Sequence, residues 1–154
     1  MSTELTLEKL QLEQKALVLK TFNYDFVWAL GSRLREAAVA REAPVAIEVR
    51  HGFDIVFANL LPGATIDNFD WTRRKCASVQ RFHKSSLALR LEAESGNFDF
   101  NRKFRLSPAD FVAGGGGYPL ILDEGTLIGS VGVSGLPDVD DHMLITTVLH
   151  ELLS

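Results

Sequence analysis

The chain has little cysteine: Cys76 is the only one among 154 residues. One thiol excludes both an intramolecular disulfide and a four-cysteine zinc site. No apolar run approaches the length of a membrane span. The first ten residues also lack the basic start and the apolar stretch of a secretory signal. These absences predict a protein of the reducing cytoplasm that has no membrane partner.

Basic charge is scarce as well. Lysine and arginine total 16 against 20 aspartates and glutamates, which gives a net charge of −4. General binding to nucleic acid requires a basic surface, so we expect no nucleic-acid partner. Apolar residues, by contrast, make up 46% of the chain. Residues 1–154 are therefore predicted to form a single domain with a substantial core.

Three segments carry apolar residues at the spacing of amphipathic helices, and two more begin with residue types that cap a helix. Asn23 is a residue type that caps a helix start, while Pro44 marks a helix end and Pro137 suits a first turn. The predicted helices lie within 1–20, from Asn23 to Pro44, from Thr65 or Asp67 to about Arg81, from Ser85 or Ser86 to about Gly96, and from Pro137 onward.

Four other segments favour strands, because they are short, apolar and bounded by turn residues. Val45–Arg50 alternates apolar and polar side chains as a half-buried strand does. Turns at His51–Gly52 and Asp123–Gly125 would join the strands as hairpins. Hairpins favour an antiparallel sheet with helices packed on it, an α+β fold. The predicted strands are Val45–Arg50, Phe53–Phe57, Tyr118–Leu122 and Thr126–Ser134.

Eight of the twelve glycines lie between Gly114 and Gly135. The run Gly114–Gly117 is not followed by the G-K-[S/T] ending of a P-loop. The later spacing G-x-x-G-x-x-G differs from the dinucleotide-binding fingerprint. A phosphate cradle is one interpretation. The pattern favours the other, in which glycine permits tight turns and a strand closely approached by another backbone.

The basic residues are concentrated in one region, at Arg73, Arg74, Lys75, Arg81, His83 and Lys84. On one continuous helix, Arg74, Arg81 and Lys84 would lie along one side. Such a face could hold a carboxylate, a haem propionate or an acidic partner, or it could simply be solvated. His51, at a turn, is the most accessible candidate for an axial haem ligand, although an ordinary turn histidine is the alternative.

The acidic residues before His142 offer a second candidate site. Carboxylates with an imidazole suit magnesium, manganese or zinc, and Asp141 with His142 could support acid–base chemistry. Acids in a first helical turn also stabilise the helix dipole without any ligand. No motif combines a nucleophile, a base and an orienting group, so an enzyme is the least favoured interpretation. Cys76 is expected to be a buried, apolar side chain, or a reactive thiol if exposed.

The run I-G-S-V-G-V-S-G-L-P-D-V-D-D-H, preceded by A-G-G-G-G-Y-P, resembles the haem-degrading-protein-like superfamily, which includes glycolate-operon accessory proteins. The upstream run D-W-T-R-R-K-C-A-S-V-Q-R-F-H-K-S-S resembles its uncharacterised, intracellular bacterial and fungal branch. The branch pattern is matched at Trp71, Arg74, Lys75, Ser85, Ser86, Gly115 to Gly117, Pro119, Ser134, Gly135, Leu136, Pro137, Asp141 and His142.

This resemblance implies a profilin-like, three-layer α-β-α sandwich around a central antiparallel sheet, assembled as a homo-oligomer. Some relatives bind haem, and a fungal member is linked to tail-anchored protein delivery as a partner-binding component.

Three functions follow from these observations. The first is an oligomeric protein that binds a small molecule, haem or another acidic ligand. The second is a non-enzymatic adaptor for a protein partner, and the third is a metal-assisted enzyme. The residues predicted to bind the ligand are Trp71, Arg74, Lys75, Ser85, Ser86, Gly115, Gly116 and Gly117.

Overall fold

A computed structural model describes residues 4–154. The secondary structure follows the predicted order, except that one additional short helix lies within residues 97–110, where no element was predicted. The helix predicted within residues 1–20 covers ten residues, and positions 1–3 lie outside the described part. The elements are α1 (Leu7–Ala16), α2 (Tyr24–Ala40), β1 (Ala46–His51), β2 (Asp54–Leu60), α3 (Ile66–Phe82), α4 (Ser86–Gly96), α5 (Phe100–Phe104), β3 (Gly117–Ile121), β4 (Leu127–Ser134) and α6 (Asp138–Leu153).

The four strands form one antiparallel sheet in the order β2-β1-β4-β3. The two predicted hairpins are present, and β1 and β4 pair in the centre. Helices α2 and α6 cover one face, and α3 covers the other. The predicted α+β sandwich with a central antiparallel sheet is therefore confirmed.

The face toward α2 and α6 carries the main apolar core. Ile47 and Val49 of β1 lie beside Val133 and Val131 of β4, and all four side chains are fully buried. They pack against Leu30 and Leu34 of α2 and Ile145 and Leu149 of α6. This alternation along β1 is the pattern by which the sequence predicted the strand.

The face toward α3 is built from small and polar residues. Gly132 of β4 lies between Glu48 of β1 and Gly117 of β3. A Cβ atom on Gly132 would lie 3.0 Å from the Cys76 sulfur and 3.1 Å from the Thr72 Cβ. Glycine therefore lets α3 approach the sheet closely, which agrees with the backbone interpretation of the glycine segment.

The expectation that β1 is half-buried is wrong. Glu48, on the α3 face, is only 2% exposed, because α3 covers it. Its carboxylate accepts a hydrogen bond from the Thr72 hydroxyl at 3.0 Å and is paired with Arg50. A charged residue thus occupies a position that alternation alone assigns to solvent.

The structure shows where α3 begins and where it ends. Thr65 is the N-cap, and its backbone N–H donates to the Asn68 side chain at 2.9 Å. The helix ends at Phe82, and His83 follows in the left-handed region with φ of 59°. Lys84 therefore lies beyond the helix, so the predicted single basic side through Arg74, Arg81 and Lys84 does not form. Ser85, rather than Ser86, caps α4 by accepting from the Ala88 N–H at 3.2 Å.

Within residues 4–154, no helix combines the length and the apolar composition needed to cross a bilayer.

Candidate functional site

One cavity of about 310 Å³, which we call the Trp71 pocket, is lined by two of the predicted residues, Trp71 and Lys75. The other predicted residues do not line it; they are Arg74, Ser85, Ser86, Gly115, Gly116 and Gly117. It lies between the first half of α3, the segment before β3 and the start of α6. Perturbed ionisable groups in a cleft are a physical indication of a functional site. The lining residues are Asn68, Trp71, Lys75, Val112, Gly114, Ser134, Gly135, Leu136, Asp138 and Asp141.

A buried ion pair forms the inner wall of the Trp71 pocket. The Lys75 ammonium lies 3.2 Å from an Asp141 carboxylate oxygen and donates to the Val133 carbonyl at 2.9 Å. Burial lowers the pKa of Lys75 and raises that of Asp141 to about 6, each partly offset by the charge of the other. The other Asp141 oxygen accepts from the Leu136 N–H at 3.0 Å.

Trp71 lines the pocket, and Arg74 stacks on its ring without lining the pocket itself. The Trp71 ring is 38% exposed, and the Arg74 guanidinium lies 3.9 Å from its centroid. Arg74 is also paired with Asp70 at 3.1 Å, so its charge is already partly neutralised. The arrangement offers an aromatic wall and a cation that is held in place by stacking.

Glycines 115–117 form the backbone behind this wall. A Cβ atom on Gly116 would lie 2.6 Å from the Lys75 ammonium and would overlap the Val133 carbonyl oxygen. The Gly115 N–H donates to Asp138 at 2.9 Å, and the Gly117 N–H donates to Ser86 at 2.8 Å. The N–H groups of Gly115 and Gly117 therefore already have partners within the protein. These glycines contribute to the shape of the site.

The two predicted serines stabilise the structure beside the pocket. Ser86 is fully buried and binds the Gly117 backbone, while Ser85 caps α4. Neither of them lines the Trp71 pocket. Their geometry fixes the glycine segment against α4.

Asp141 and His142 bond in different directions. Asp141 binds Lys75, whereas the fully buried His142 places Nε2 3.0 Å from a Glu13 oxygen on α1. Between residues 4 and 154, no three histidine, cysteine or acidic side chains are grouped so that they could hold a metal ion. The two side chains therefore bind different partners, Lys75 and Glu13, and point to different sites.

Cys76 is a buried residue of α3 that faces the sheet, as predicted from its helical position. Burial raises the pKa of its thiol to about 12, which keeps the sulfur protonated and disfavours nucleophilic chemistry. His51 is engaged through Nδ1, which lies 2.9 Å from the Tyr24 hydroxyl, and its ring packs on Phe22.

A second cavity was not predicted. A cleft of about 360 Å³ lies between α1 and the junction of α3 with α4, and we call it the α1 cleft. Its walls include Leu10, Ala88 and Ile121, and its rim includes Lys15 and His83. These residues are scattered in the sequence, so only the docking of α1 brings them together.

Comparison with known proteins identifies the family. The model of the haem degrading protein HbpS-like family matches residues 22–150. A UPF0303 protein of Burkholderia thailandensis is 42% identical over 149 residues, which cover 97% of this chain and 90% of that protein. A UPF0303 protein of Streptomyces avermitilis is 36% identical, covering 97% and 91%.

Solved structures show the same fold. The crystal structure of the Ybr137w protein matches with a TM-score of 0.86 and 26% identity, covering 93% of this chain and 86% of that one. A PduOC:heme complex matches with a TM-score of 0.72 and 19% identity, covering 84% and 94%. The chain therefore belongs to the HbpS-like family and, within it, to the UPF0303 proteins.

Proposed function

We propose that this chain is a binding protein for a small organic carboxylate, held in the Trp71 pocket. The observation that supports the proposal is the buried Lys75–Asp141 pair in the wall of a cavity that also has an aromatic side. A ligand carboxylate would compete with Asp141 for the Lys75 ammonium, while Trp71 would contact the apolar part of the ligand. Asp138 also lines the pocket but is paired with Arg90 at 2.7 Å, so Lys75 is the cation that the ligand would contact.

The second part of the proposal is a dependence of binding on pH. Above pH 6, Asp141 is charged and occupies Lys75. As the pH falls through 6, Asp141 takes up a proton and Lys75 loses its internal counterion. A ligand whose carboxylate stays ionised at that pH then has no charged competitor, so its affinity rises.

Haem is the ligand indicated by the family and by the structural neighbour solved as a PduOC:heme complex. The Trp71 pocket does not fit it. Among the described residues that line this pocket, none is a histidine, cysteine, methionine or tyrosine that could serve as an axial ligand. The ligand that we propose for this pocket is therefore a carboxylate that contains no metal.

We expect benzoate to change the fluorescence of Trp71 in a saturable way, measured in a Trp28→Phe background that leaves Trp71 as the only tryptophan. Affinity should rise several-fold between pH 7.5 and 5.5, since a pKa near 6 places the titration of Asp141 in that interval. Asp141→Asn should bind benzoate at pH 7.5 about as well as the unsubstituted chain does at pH 5.5. Hemin, titrated in parallel, should give no Soret change that depends on Trp71.

The matched control is Asp140→Asn, which removes a neighbouring acid on α6 that does not line the pocket. It should leave both the affinity and its pH dependence unchanged. Absence of saturable benzoate binding would reject the proposal. An unchanged pH profile in Asp141→Asn would reject the role of the ion pair.

We also propose that copies of the chain associate through β2. This strand is at the edge of the sheet, and within residues 4–154 no strand pairs with its outer side. Ile55 on this edge is 54% exposed, Phe53 in the turn before β2 is 75% exposed, and Ile66 at the start of α3 is 79% exposed. Exposed apolar edges of this kind mark interaction surfaces.

We expect light scattering to show a homo-oligomer at micromolar concentration, and Ile55→Lys to shift it toward the monomer, because an edge lysine opposes strand pairing. Leu12→Lys is the control, since Leu12 is 67% exposed on α1, on a different element. A monomer in the unsubstituted chain would contradict self-association. The same surface would then be the strongest support for the adaptor function.

A further inference from the structure

We propose that the α1 cleft is a second binding site, for a carboxylate that carries a narrow apolar tail. The inference does not depend on the Trp71 pocket, because none of the residues lining one cavity lines the other. It rests on the walls of the cleft, on the charge at its rim and on the way in which α1 is held.

The walls of the cleft are apolar. Its apolar lining residues are Leu7 and Leu10 of α1, Val18 after that helix, Ala88 of α4 and Ile121 of β3. Leu10 also belongs to a small cluster with Leu87 and Ala88, so this side of the cleft is anchored in buried packing. Its volume of about 360 Å³ falls within the range of roughly 300–1,000 Å³ for small-molecule sites.

The rim of the cleft carries two lysines, Lys15 and Lys84. Glu92 is the one carboxylate among the described residues that line the cleft. Glu92 is already paired with Lys84, at 2.9 and 3.0 Å. Lys15 makes no ion pair within residues 4–154. The carboxylate of a ligand whose apolar tail lies in the cleft would therefore meet an unpaired positive charge at the mouth.

The cleft is held open by polar contacts of α1 with the rest of the domain. The Gln14 side chain donates to the His83 carbonyl at 2.9 Å. The preceding residue, Glu13, places a carboxylate oxygen 3.0 Å from Nε2 of the buried His142. Both contacts are made by the helix that forms one wall, so the site needs little rearrangement before a ligand enters.

The occupant is an amphipathic anion because each part of it has a complementary surface. Apolar walls remove the tail from water, which contributes free energy in proportion to the buried area. At the rim the carboxylate stays hydrated, and the lysine attracts it. A neutral molecule with the same tail would make only the first of these interactions.

The test uses octanoate as the probe and the full chain, followed by amide chemical-shift mapping at pH 6.5. We expect saturable shifts at Leu10, Ala88 and Ile121. 1-Octanol should bind several-fold more weakly, and Lys15→Met should weaken octanoate binding by about threefold, the size typical of one exposed charge pair. Lys15→Met should leave octanol binding unchanged.

Lys9→Met is the matched control, because Lys9 lies on the same helix but does not line the cleft. It should leave octanoate affinity unchanged. The inference is overturned if octanoate causes no saturable shifts at the cleft. It is equally overturned if octanol binds as tightly as octanoate, or if Lys9→Met and Lys15→Met have the same effect.

Discussion

Replacing Lys75 by methionine is expected to lower the free energy of unfolding by about 3–5 kcal/mol, the size typical of breaking a buried ion pair on one side. Methionine keeps the length and apolar stem of lysine. The substitution leaves Asp141, whose side chain is 2% exposed, without its counterion. It also removes the donor to the Val133 carbonyl. Urea unfolding at pH 8, followed by circular dichroism, measures the change.

The loss in Lys75→Met should shrink as the pH falls. The folded-state pKa of Asp141 is already about 6, above its ordinary value of 3.8, and removing Lys75 would raise it further. The folded state then binds more protons than the unfolded state between those values, so stability decreases as pH rises through that interval. At pH 5 the carboxyl group is largely protonated and the burial of charge is relieved.

The double variant Lys75→Met/Asp141→Leu separates loss of the pair from loss of packing. Replacing both partners by apolar residues should recover most of the stability, leaving about 1 kcal/mol for the lost hydrogen bond from Leu136. A single Lys75→Met variant that loses less than 1 kcal/mol would show that the pair contributes little. So would a double variant no more stable than the single one.

The sequence was sufficient for the antiparallel sheet and for the order of the elements other than the short helix α5. Apolar spacing predicts α2 and α6, cap residues predict α3 and α4, and the turn residues place both hairpins, because these signals are local. The α3 face of β1 was not predictable in the same way. Glu48 is buried there by a helix that follows more than a dozen residues later, and alternation along a strand carries no information about a second covering layer.

The buried state of Lys75 had a partial signal in the sequence. Thr72, Cys76 and Val79 form the buried stripe of α3, and Lys75 falls within that stripe at helical spacing, whereas Arg74 and Arg81 do not. Arg74 and Lys75 are neighbours in the sequence, so charge alone does not distinguish the buried cation from the more exposed one. The partner, Asp141, lies 66 residues away on α6, and only the tertiary fold brings it to Lys75.

Replacing Gly116 by alanine is expected to lower the free energy of unfolding by about 3 kcal/mol or more, from backbone strain and overpacking together. Gly116 has φ of +123°, a conformation that L side chains rarely adopt. Its Cβ would overlap the Val133 carbonyl oxygen and lie 2.6 Å from the Lys75 ammonium. Because the first of these atoms belongs to a central strand, it has little freedom to move. Thermal and urea unfolding measure the loss.

Substitutions at two other glycines separate backbone strain from overpacking in this loss of stability. Gly114→Ala, in the same run, would meet nothing closer than 3.9 Å and is expected to change stability by less than about 0.5 kcal/mol. Gly125→Ala keeps the strain, with φ of +106°, but has no atom within 4 Å, so about 1–2 kcal/mol of strain should remain. If Gly116→Ala lost no more stability than Gly125→Ala, close approach to β4 and Lys75 would contribute nothing. The glycine run would then serve the turn alone rather than the wall of the Trp71 pocket.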